Sequence, residues 1–425
     1  MKFFPIPLFA LTLSMLLHEP ALADSQFAIP ESDKGLPGDG PIRRYGWFKK
    51  LWEHKRSGWA KKVEQDQGAL VFLGDSITQS WGDNMGNVFP GLKVANRGIS
   101  GDTTRGVLIR MKGDVLALNP KGVVILIGTN DLEEKASPEI IAGNLKLIIA
   151  ELKKHNSKMP IILCNTFPSS ASKRRPADQI KKINQLYFAA VKGDPQVTVL
   201  DTWLLFADDK GDAKKDEFSD LLHPNKLGYA KWASALRPLL ATHGFIETKH
   251  DDFSMEPGFV SLFNGKDLTG WGFRAKKTLK NLVSFDGKKA SDDGRYQAIN
   301  GRLVVTTPPE GRRVQQLWTT KEFPNDFTLK LEFRATPNAD SGVFIRKPQL
   351  QCRDYVLAGP WKTLKKYKPQ EWNEIIAVVK GGIAHCTCNG EVLNAEFKVP
   401  ATGPIGLEGD RGQMEYRRIR IKSSK

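Results

Sequence analysis

The stretch ALVFLGDS at residues 69–76 decides the fold of the first half of the chain. Its apolar run ends at a Gly-Asp-Ser turn, which is typical of a buried strand. Similar short runs follow, and amphipathic helical stretches separate them, notably at 140–155 and 178–192. The further candidate strands are 92–95, 122–127, 160–163 and 197–200. Strands alternating with helices predict a doubly wound α/β domain over residues 40–245, with a parallel sheet and helices on both faces.

The rest of the chain has a different sequence pattern. The whole protein has 425 residues, 40% hydrophobic and 26% charged, which is ordinary globular usage and long enough for two or three domains. Residues 246–257 are polar and without periodicity, so we predict a linker there. Beyond it, Gly and Pro punctuate short β-rich runs, which predicts an all-β sandwich or jelly roll over 258–425. Those runs are 303–307, 328–333, 342–345, 374–379 and 417–421.

The amino terminus has the pattern of a secretory signal. Lys2 precedes an apolar stretch from Ile6 to Leu17, and Ala21-Leu22-Ala23 follows it. The stretch is too short to span a bilayer, which needs close to ~20 apolar residues. We therefore expect a signal peptide at 1–23, cleavage after Ala23, and an exported periplasmic or secreted protein without stable membrane insertion.

The net charge of +16 suggests an affinity for something acidic. The sequence has no zinc-finger spacing, RNP-like aromatic strand or long basic helix, so no nucleic-acid partner is expected. A basic but solvated surface is the alternative. The oligomeric state is left open.

Two segments of the first domain supply a candidate nucleophile and base. Ser76 follows the first strand, at the edge where open α/β sheets form their clefts. Asp220 and His223 are three residues apart, so the imidazole could take a proton from Ser76 while the carboxylate orients it. Taken alone, a His before a Pro is more often a surface or capping residue.

Two further segments supply candidate donors to an oxyanion. Residues 96–102 and 128–131 each follow an apolar strand and would open onto the same cleft. Gly101 could bring its backbone N–H close to a developing charge, Asn130 could donate from its amide, and the N–H of Ser76 would complete the set. Ordinary turn chemistry is the alternative for either motif taken singly.

Together these four segments resemble the SGNH or GDSL hydrolase family. The resemblance assigns its conserved blocks to Ser76, Gly101, Asn130 and His223, with Asp220 as the acid. Residues 74–79 and 96–104 look most like the branch of platelet-activating-factor acetylhydrolase. The resemblance implies a flavodoxin-like SGNH domain that acts on small acyl groups, acetyl above all. We predict no cofactor and no metal in the first domain, and leave a metal in the second open.

The loop at 167–175 leaves the carboxyl end of a candidate strand. Its cations Lys173, Arg174 and Arg175 could attract an acidic polysaccharide at the cleft. A solvated loop is the alternative.

The second half resembles the 3-keto-disaccharide hydrolase family, which has a concanavalin-like jelly-roll fold. The segments that carry the likeness are 259–271, 340–346, 371–373 and 403–410. Where that family commonly has a glutamate, this chain has Gln349, and an amide cannot act as a general base. The candidate sugar-facing residues are Asp340, Arg346, Gln351, Asp354 and Glu408. Trp318 and Trp361 could stack on a sugar ring or belong to the core, and the pairing of Cys352, Cys386 and Cys388 stays open.

The leading hypothesis is an exported serine esterase that removes acetyl or other short acyl groups from carbohydrate, with the jelly roll binding or acting on the glycan. One alternative makes the substrate a lipid or phospholipid. Another gives the main activity to the second domain, as a 3-keto-glycoside hydrolase or lyase. A third treats the chain as a binding protein with a vestigial hydrolase site.

Overall fold

The apolar runs of the first half form one parallel sheet, as predicted. The structure is a computed structural model and describes residues 26–248, 252–275, 277–306 and 315–424, so the predicted signal peptide lies outside the described residues. The strands are β1 (Leu70–Gly74), β2 (Val94–Gly98), β3 (Gly122–Leu126), β4 (Ile161–Cys164) and β5 (Val197–Leu200). Their order is β2-β1-β3-β4-β5, and every neighbouring pair is parallel. The order reverses between β1 and β3, where sheets of this type open their clefts.

Helices cover both faces of this sheet. They are α1 (Gly46–Ala60), α2 (Ser76–Ser80), α3 (Thr104–Asp114), α4 (Thr129–Glu133), α5 (Pro138–His155), α6 (Ala177–Val191), α7 (Thr202–Phe206) and α8 (Lys226–Thr242). Successive residues of β1 point to opposite faces. Val71 and Leu73 therefore pack in one apolar cluster, and Leu70 and Phe72 pack in another. The predicted α/β fold is confirmed.

The second half forms two antiparallel sheets around one apolar core. Its strands are β6 (Val260–Ser261), β7 (Trp271–Phe273), β8 (Val283–Ser284), β9 (Tyr296–Ile299), β10 (Arg302–Val305), β11 (Leu317–Thr319), β12 (Phe327–Ala335), β13 (Asp340–Ile345), β14 (Gln349–Gln351), β15 (Asn373–Lys380), β16 (Ile383–Cys388), β17 (Glu391–Lys398), β18 (Ile405–Arg411) and β19 (Met414–Ser423), with a short helix α9 (Tyr355–Ala358). One sheet has the order β17-β16-β15-β12-β19-β10-β9, with β6 on β19, and the other has β14-β13-β18-β11-β7-β8. Alternate residues of β12 point into the core. The predicted all-β jelly-roll architecture is confirmed.

A cluster of charges ties the two halves together near the predicted linker, 246–257. Glu247 accepts hydrogen bonds from Arg334 at 3.0 and 2.9 Å and from Arg302 at 3.1 Å. Glu415 is fully buried, binds Arg334 and lies 3.3 Å from Arg302. Arg302 also donates to a carbonyl oxygen of α8 at 2.9 Å. Glu247, within the predicted linker, is therefore fixed to the second domain by ion pairs.

Replacing Glu415 with Gln should destabilise the protein, because the change leaves Arg334 and Arg302 buried beside a neutral amide. Breaking a buried ion pair costs on the order of 3 kcal/mol in the free energy of unfolding. Urea unfolding followed by circular dichroism measures the loss. The matched control is Glu322→Gln, because Glu322 also binds an arginine, at 3.3 Å, but is 46% exposed. The control should cost less than about 1 kcal/mol, and equal losses in both variants would contradict the expectation.

Candidate active site

Ser76 lies at the carboxyl edge of the parallel sheet, where β1 passes into α2. The close approach requires Gly74, since a Cβ on it would lie 2.3 Å from the carbonyl oxygen of Leu126 in β3. Asp75 caps α2 by accepting a hydrogen bond from Ile77 N at 2.9 Å. Ser76 itself is 9% exposed and lines an open cleft of about 670 Å³. The turn therefore presents the serine hydroxyl to this cleft.

His223 and Asp220 reach the same cleft from the loop before α8. His223 Nε2 lies 2.9 Å from Ser76 Oγ, and His223 Nδ1 lies 2.7 Å from Asp220 Oδ2. The other carboxylate oxygen of Asp220 accepts the backbone N–H groups of His223 at 2.7 Å and Leu222 at 3.0 Å. The turn between the two residues thus holds the carboxylate against the imidazole. The structure brings all three predicted residues into one hydrogen-bonded chain.

Asp220 carries a negative charge at neutral pH. Partial burial acts to raise its pKa, but the hydrogen bonds donated by the backbone and ring of His223 and by the Leu222 N–H outweigh that effect. The pKa of Asp220 therefore lies below its usual range. An ionised carboxylate at this position favours a proton on His223 Nδ1 and leaves Nε2 free to accept the proton of Ser76.

The pKa of Asp75, next to Ser76, is shifted in the opposite direction from that of Asp220. Burial raises the pKa of Asp75 to about 6, which the hydrogen bond from Ile77 N only partly offsets. Its Oδ2 atom is buried and makes no hydrogen bond to the described residues. Asp75 therefore gains a proton in mildly acidic solution, where Asp220 stays ionised.

Besides Ser76, the other two predicted oxyanion donors, Gly101 and Asn130, also line this cleft. Gly101 has a φ of +89°, a conformation that favours glycine. Asn130 Nδ2 donates one hydrogen to the carbonyl oxygen of Asp102 at 2.9 Å, and an amide nitrogen carries a second hydrogen. The structure thus gathers Gly101 and Asn130 around the cleft that holds Ser76 and His223.

Arg175 differs from its predicted role as a cation for an acidic substrate. It is 3% exposed and donates to Asn130 Oδ1 at 2.9 Å, to Thr129 O at 3.1 Å and to Glu133 at 2.8 Å. These contacts fix the orientation of the Asn130 amide, with its oxygen toward the guanidinium. Of the three cations in the predicted loop, Lys173 is half-buried and Arg174 is exposed at the cleft, while Arg175 is a positioning residue.

One wall of the cleft comes from residues that the sequence analysis missed. Arg43 and Trp47 lie N-terminal to β1, and Glu133 ends α4; all three line the cleft. A signal for Trp47 was present, because Phe48, Trp52 and Trp59 fall on the buried face of α1 and Trp47 does not. An aromatic residue out of phase with the apolar face of a helix indicates an exposed ring.

The second-domain candidates divide into two groups. Asp340, Gln351 and Glu408 are partly exposed and lie on β13, β14 and β18 of one sheet. Because side chains alternate along a strand and Val343 and Leu407 point into the core, Asp340 and Glu408 belong to the opposite face. Gln351 and Glu408 both pair with Gly342 of β13, one from each side. All three predicted residues therefore lie on the outer face of the sheet.

Arg346 and Asp354 are not available to a ligand, contrary to the prediction. Arg346 is 2% exposed and donates to three backbone carbonyl oxygens, at 2.6 to 2.9 Å. Asp354 is fully buried and accepts from Asn338 N at 3.0 Å and from Gln370 Nε2 at 3.2 Å. Both side chains hold loops of the sandwich in place.

Gln349 binds the carboxylate of Glu408, with Nε2 at 2.5 Å from Oε2. The other oxygen of Glu408 accepts from Gln316 Nε2 at 2.8 Å. Glu408 is thus held between two amides.

The two tryptophans that could stack on a sugar pack against other residues of the second domain. Trp318, 3% exposed, packs on Phe344 with ring centroids 5.0 Å apart. Trp361 packs against the sandwich core.

The parts of the chain that the structure describes contain no disulfide, no candidate metal cluster and no membrane-spanning helix. All four cysteines lie in these parts and are free and buried. No group of three or more His, Cys, Asp or Glu in the described ranges could hold a metal ion. Among the described helices, none has both the length and the apolar character needed to cross a bilayer.

Comparison with known proteins identifies both halves. The model of the GDSL-like Lipase/Acylhydrolase family matches residues 72–231, and that of the 3-keto-alpha-glucoside-1,2-lyase-like domain matches 258–422. The alpha1 subunit of platelet-activating factor acetylhydrolase IB from Pongo abelii is 30% identical over 178 residues, covering 40% of this chain and 74% of that protein. The human alpha2 subunit is 28% identical over 220 residues, covering 50% of this chain and 89% of that protein. A solved GDSL-like lipase from Bacteroides thetaiotaomicron covers 45% of this chain and 96% of its own, at 24% identity and a TM-score of 0.39.

An α/β domain with its cleft at the carboxyl edge is followed by an antiparallel β-sandwich, and the family match assigns the first of these to the acylhydrolase class. The chain belongs to the GDSL-like lipase/acylhydrolase family, and its second half is a 3-keto-alpha-glucoside-1,2-lyase-like domain. Both resemblances predicted from the sequence are confirmed.

Proposed function

We propose that this protein is an exported serine esterase that removes acetyl or other short acyl groups from carbohydrate, and that its second domain binds the glycan. The observation that carries the proposal is the chain of contacts from Asp220 through His223 to Ser76, beside Gly101 and Asn130 in one cleft. Such a chain supplies a nucleophile, a base, a group that orients the base and donors for the oxyanion.

The proposed reaction has two halves. Ser76 Oγ attacks the ester carbonyl carbon while His223 Nε2 takes the hydroxyl proton, and the charge on Asp220 stabilises the imidazolium. The N–H groups of Ser76 and Gly101 and the Asn130 amide donate to the oxyanion. The bond to the alcohol then breaks, His223 protonates the leaving oxygen, and the acyl group stays on Ser76. Water attacks this second ester with His223 again as base, which releases the carboxylic acid and restores the serine.

The walls of the cleft favour a short acyl group and an alcohol rich in hydroxyls. Among the described residues that line it, Trp47 and Leu222 are the large apolar ones, and the others are Gly101 and polar or charged side chains. A long acyl chain would gain about 0.8 kcal/mol per buried CH₂ on an apolar wall, and little such wall is present. The matched relatives are named acetylhydrolases, which supports acetyl. Lys173 and Arg174 at the cleft would favour an acidic glycan.

For the second domain, binding is favoured over cleavage. Gln349 stands where the related family commonly has a glutamate, and its amide donates to Glu408 instead of accepting a proton. Asp340, Gln351 and Glu408 lie on one sheet face, where Asp340 pairs with Arg353 and Glu408 accepts from Gln316 and Gln349. Cleavage of 3-keto-glycosides is the second candidate, supported by the family match over 258–422. Export rests on the signal pattern of residues 1–23.

The test is a panel of esters offered to the mature chain, whose expected first residue is Asp24. Acetylated xylan and acetylated pectin provide neutral and acidic polymers, and 4-nitrophenyl esters from acetyl to decanoyl report the acyl length. We expect acetate from at least one polymer, and kcat/KM at least tenfold lower for octanoyl than for acetyl. A preference for octanoyl or decanoyl esters would indicate that the substrate is a lipid and not a carbohydrate. Release of a 3-keto sugar from a 3-keto-disaccharide would indicate that the main activity belongs to the second domain.

A further inference from the structure

Two exposed aromatic side chains form a pair at the edge of the cleft. Trp47 is 53% and Tyr45 51% exposed, with ring centroids 6.4 Å apart and planes within 12° of parallel. Trp47 lines the cleft together with Ser76 and His223. Both residues precede the part of the chain that matches the hydrolase family, which begins at residue 72. Contiguous exposed aromatic surface beside a polar cleft is a common mark of a ligand-binding site.

The position of Trp47 is fixed by the helix that carries it. On its other face, α1 buries Phe48, Trp52 and Trp59, which form a separate small core with Ile99 at the end of β2. Phe48 also meets the Trp47 ring edge-on, at 5.6 Å and 77°. The burial of one face of α1 therefore keeps Trp47 at the surface, where its ring contacts Tyr45 and Phe48.

Ion pairs connect the same segment to the oxyanion side of the cleft. Arg43 is 7% exposed, donates to Glu134 at 2.7 Å and makes a second, short contact with Glu133. The hydroxyl of Tyr45 donates to Glu134 at 3.2 Å. Since Glu133 also binds Arg175, which holds Asn130, the aromatic pair and the amide share one network.

The Trp47 ring lies directly against Gly101. A Cβ added to Gly101 would come within 2.7 Å of Trp47 Cη2, at the edge of the indole. A group stacked on this indole would therefore be a near neighbour of an acyl group held at Gly101. In an acylated glycan, the sugar residue next to the acylated one would be such a neighbour.

We propose that Tyr45 and Trp47 form a sugar-stacking subsite, which holds the pyranose next to the sugar residue that carries the acyl group. The proposal rests on the function proposed above and names how its substrate is held. A pyranose has C–H groups on its faces and hydroxyls around its edge. The faces pack on flat aromatic rings, and the hydroxyl of Ser100, which lines the cleft, can bond to the edge.

The test compares two acetyl esters, acetylated xylotetraose and ethyl acetate, of which only the first has a sugar ring. Trp47→Ala should raise KM for acetylated xylotetraose about five- to tenfold more than it raises KM for ethyl acetate, in line with the loss of one aromatic stack. Trp47→Phe, which keeps a flat ring, should recover most of that loss. Leu147→Ala, an exposed apolar truncation on α5, is the control and should change neither KM.

The outcomes separate the subsite from the function. If wild type deacetylates acetylated xylotetraose and Trp47→Ala has an unchanged KM for that ester, the subsite is refuted and the esterase proposal stands. If Trp47→Ala lowers kcat for both esters alike, the ring only supports Gly101 and the subsite is again refuted. If wild type hydrolyses ethyl acetate but no acetylated oligosaccharide or polysaccharide, the carbohydrate proposal fails and the subsite fails with it.

Discussion

Ser76→Ala should lower kcat for acetyl-ester hydrolysis about a millionfold, to a residual rate that the remaining groups of the cleft support. The change removes the oxygen that would form the acyl intermediate, and losses of this size follow removal of a nucleophile from such a chain of residues. Steady-state hydrolysis of 4-nitrophenyl acetate measures the drop. A fluorophosphonate probe gives an independent reading, because it should label wild type on one residue and leave the variant unlabelled.

The matched control for this variant is Ser80→Ala. Ser80 lies one helical turn away on α2 and also lines the cleft, so its loss makes a similar local change. It should retain activity within about tenfold of wild type, since a single neutral hydrogen bond is worth only about 1 kcal/mol. Activity of Ser76→Ala within tenfold of wild type would end the assignment of a serine esterase.

Asp220→Asn should lower kcat about 10⁴-fold while leaving the fold intact. The low pKa of Asp220 keeps a carboxylate opposite His223 Nδ1, which favours the hydrogen on that nitrogen. An asparagine would still accept the backbone N–H groups of His223 and Leu222 through its oxygen, and its NH₂ would then face Nδ1. The imidazole would carry its hydrogen on Nε2 and could no longer take the proton of Ser76. Steady-state kinetics at neutral pH measure the loss.

Asp209→Asn is the control for the Asp220 variant, because Asp209 is an exposed aspartate in the preceding loop. It makes the same change in charge and should leave kcat within twofold of wild type. Equal rates for the two variants would show that Asp220 contributes only general charge, and the orienting role would be withdrawn.

The parts of the site that were predictable are those that depend on local chain geometry. Ser76 ends an apolar run, and parallel strands bring their carboxyl ends to one edge, so a cleft at that serine follows from the pattern. Asp220 and His223 are three residues apart, close enough for one turn to join them. These features need no knowledge of distant contacts, and the structure places all three side chains within hydrogen-bonding distance.

The charged residues whose roles differ from expectation are bound by partners far away in the chain. The sequence predicts that Arg175 is a loop cation, but its partners include Asn130, 45 residues away. The sequence predicts that Arg346 faces a sugar, but it binds carbonyl oxygens from two other loops. Glu247 lies in a polar segment, yet Arg334 is 87 residues distant. A sequence shows which residues carry charge, whereas burial and pairing arise only when distant segments pack.

The α1 segment has a practical consequence for anyone who wishes to produce the hydrolase domain alone. The family match begins at residue 72, but Ile29, Phe48 and Trp52 pack on Ile99 and complete an apolar cluster that this boundary would cut through. A fragment that starts at residue 72 would expose the partners of that cluster to water and invite aggregation. We therefore expect a stable first domain to begin before Ile29, so that the limits of the family alignment are a poor guide to where the polypeptide can be cut.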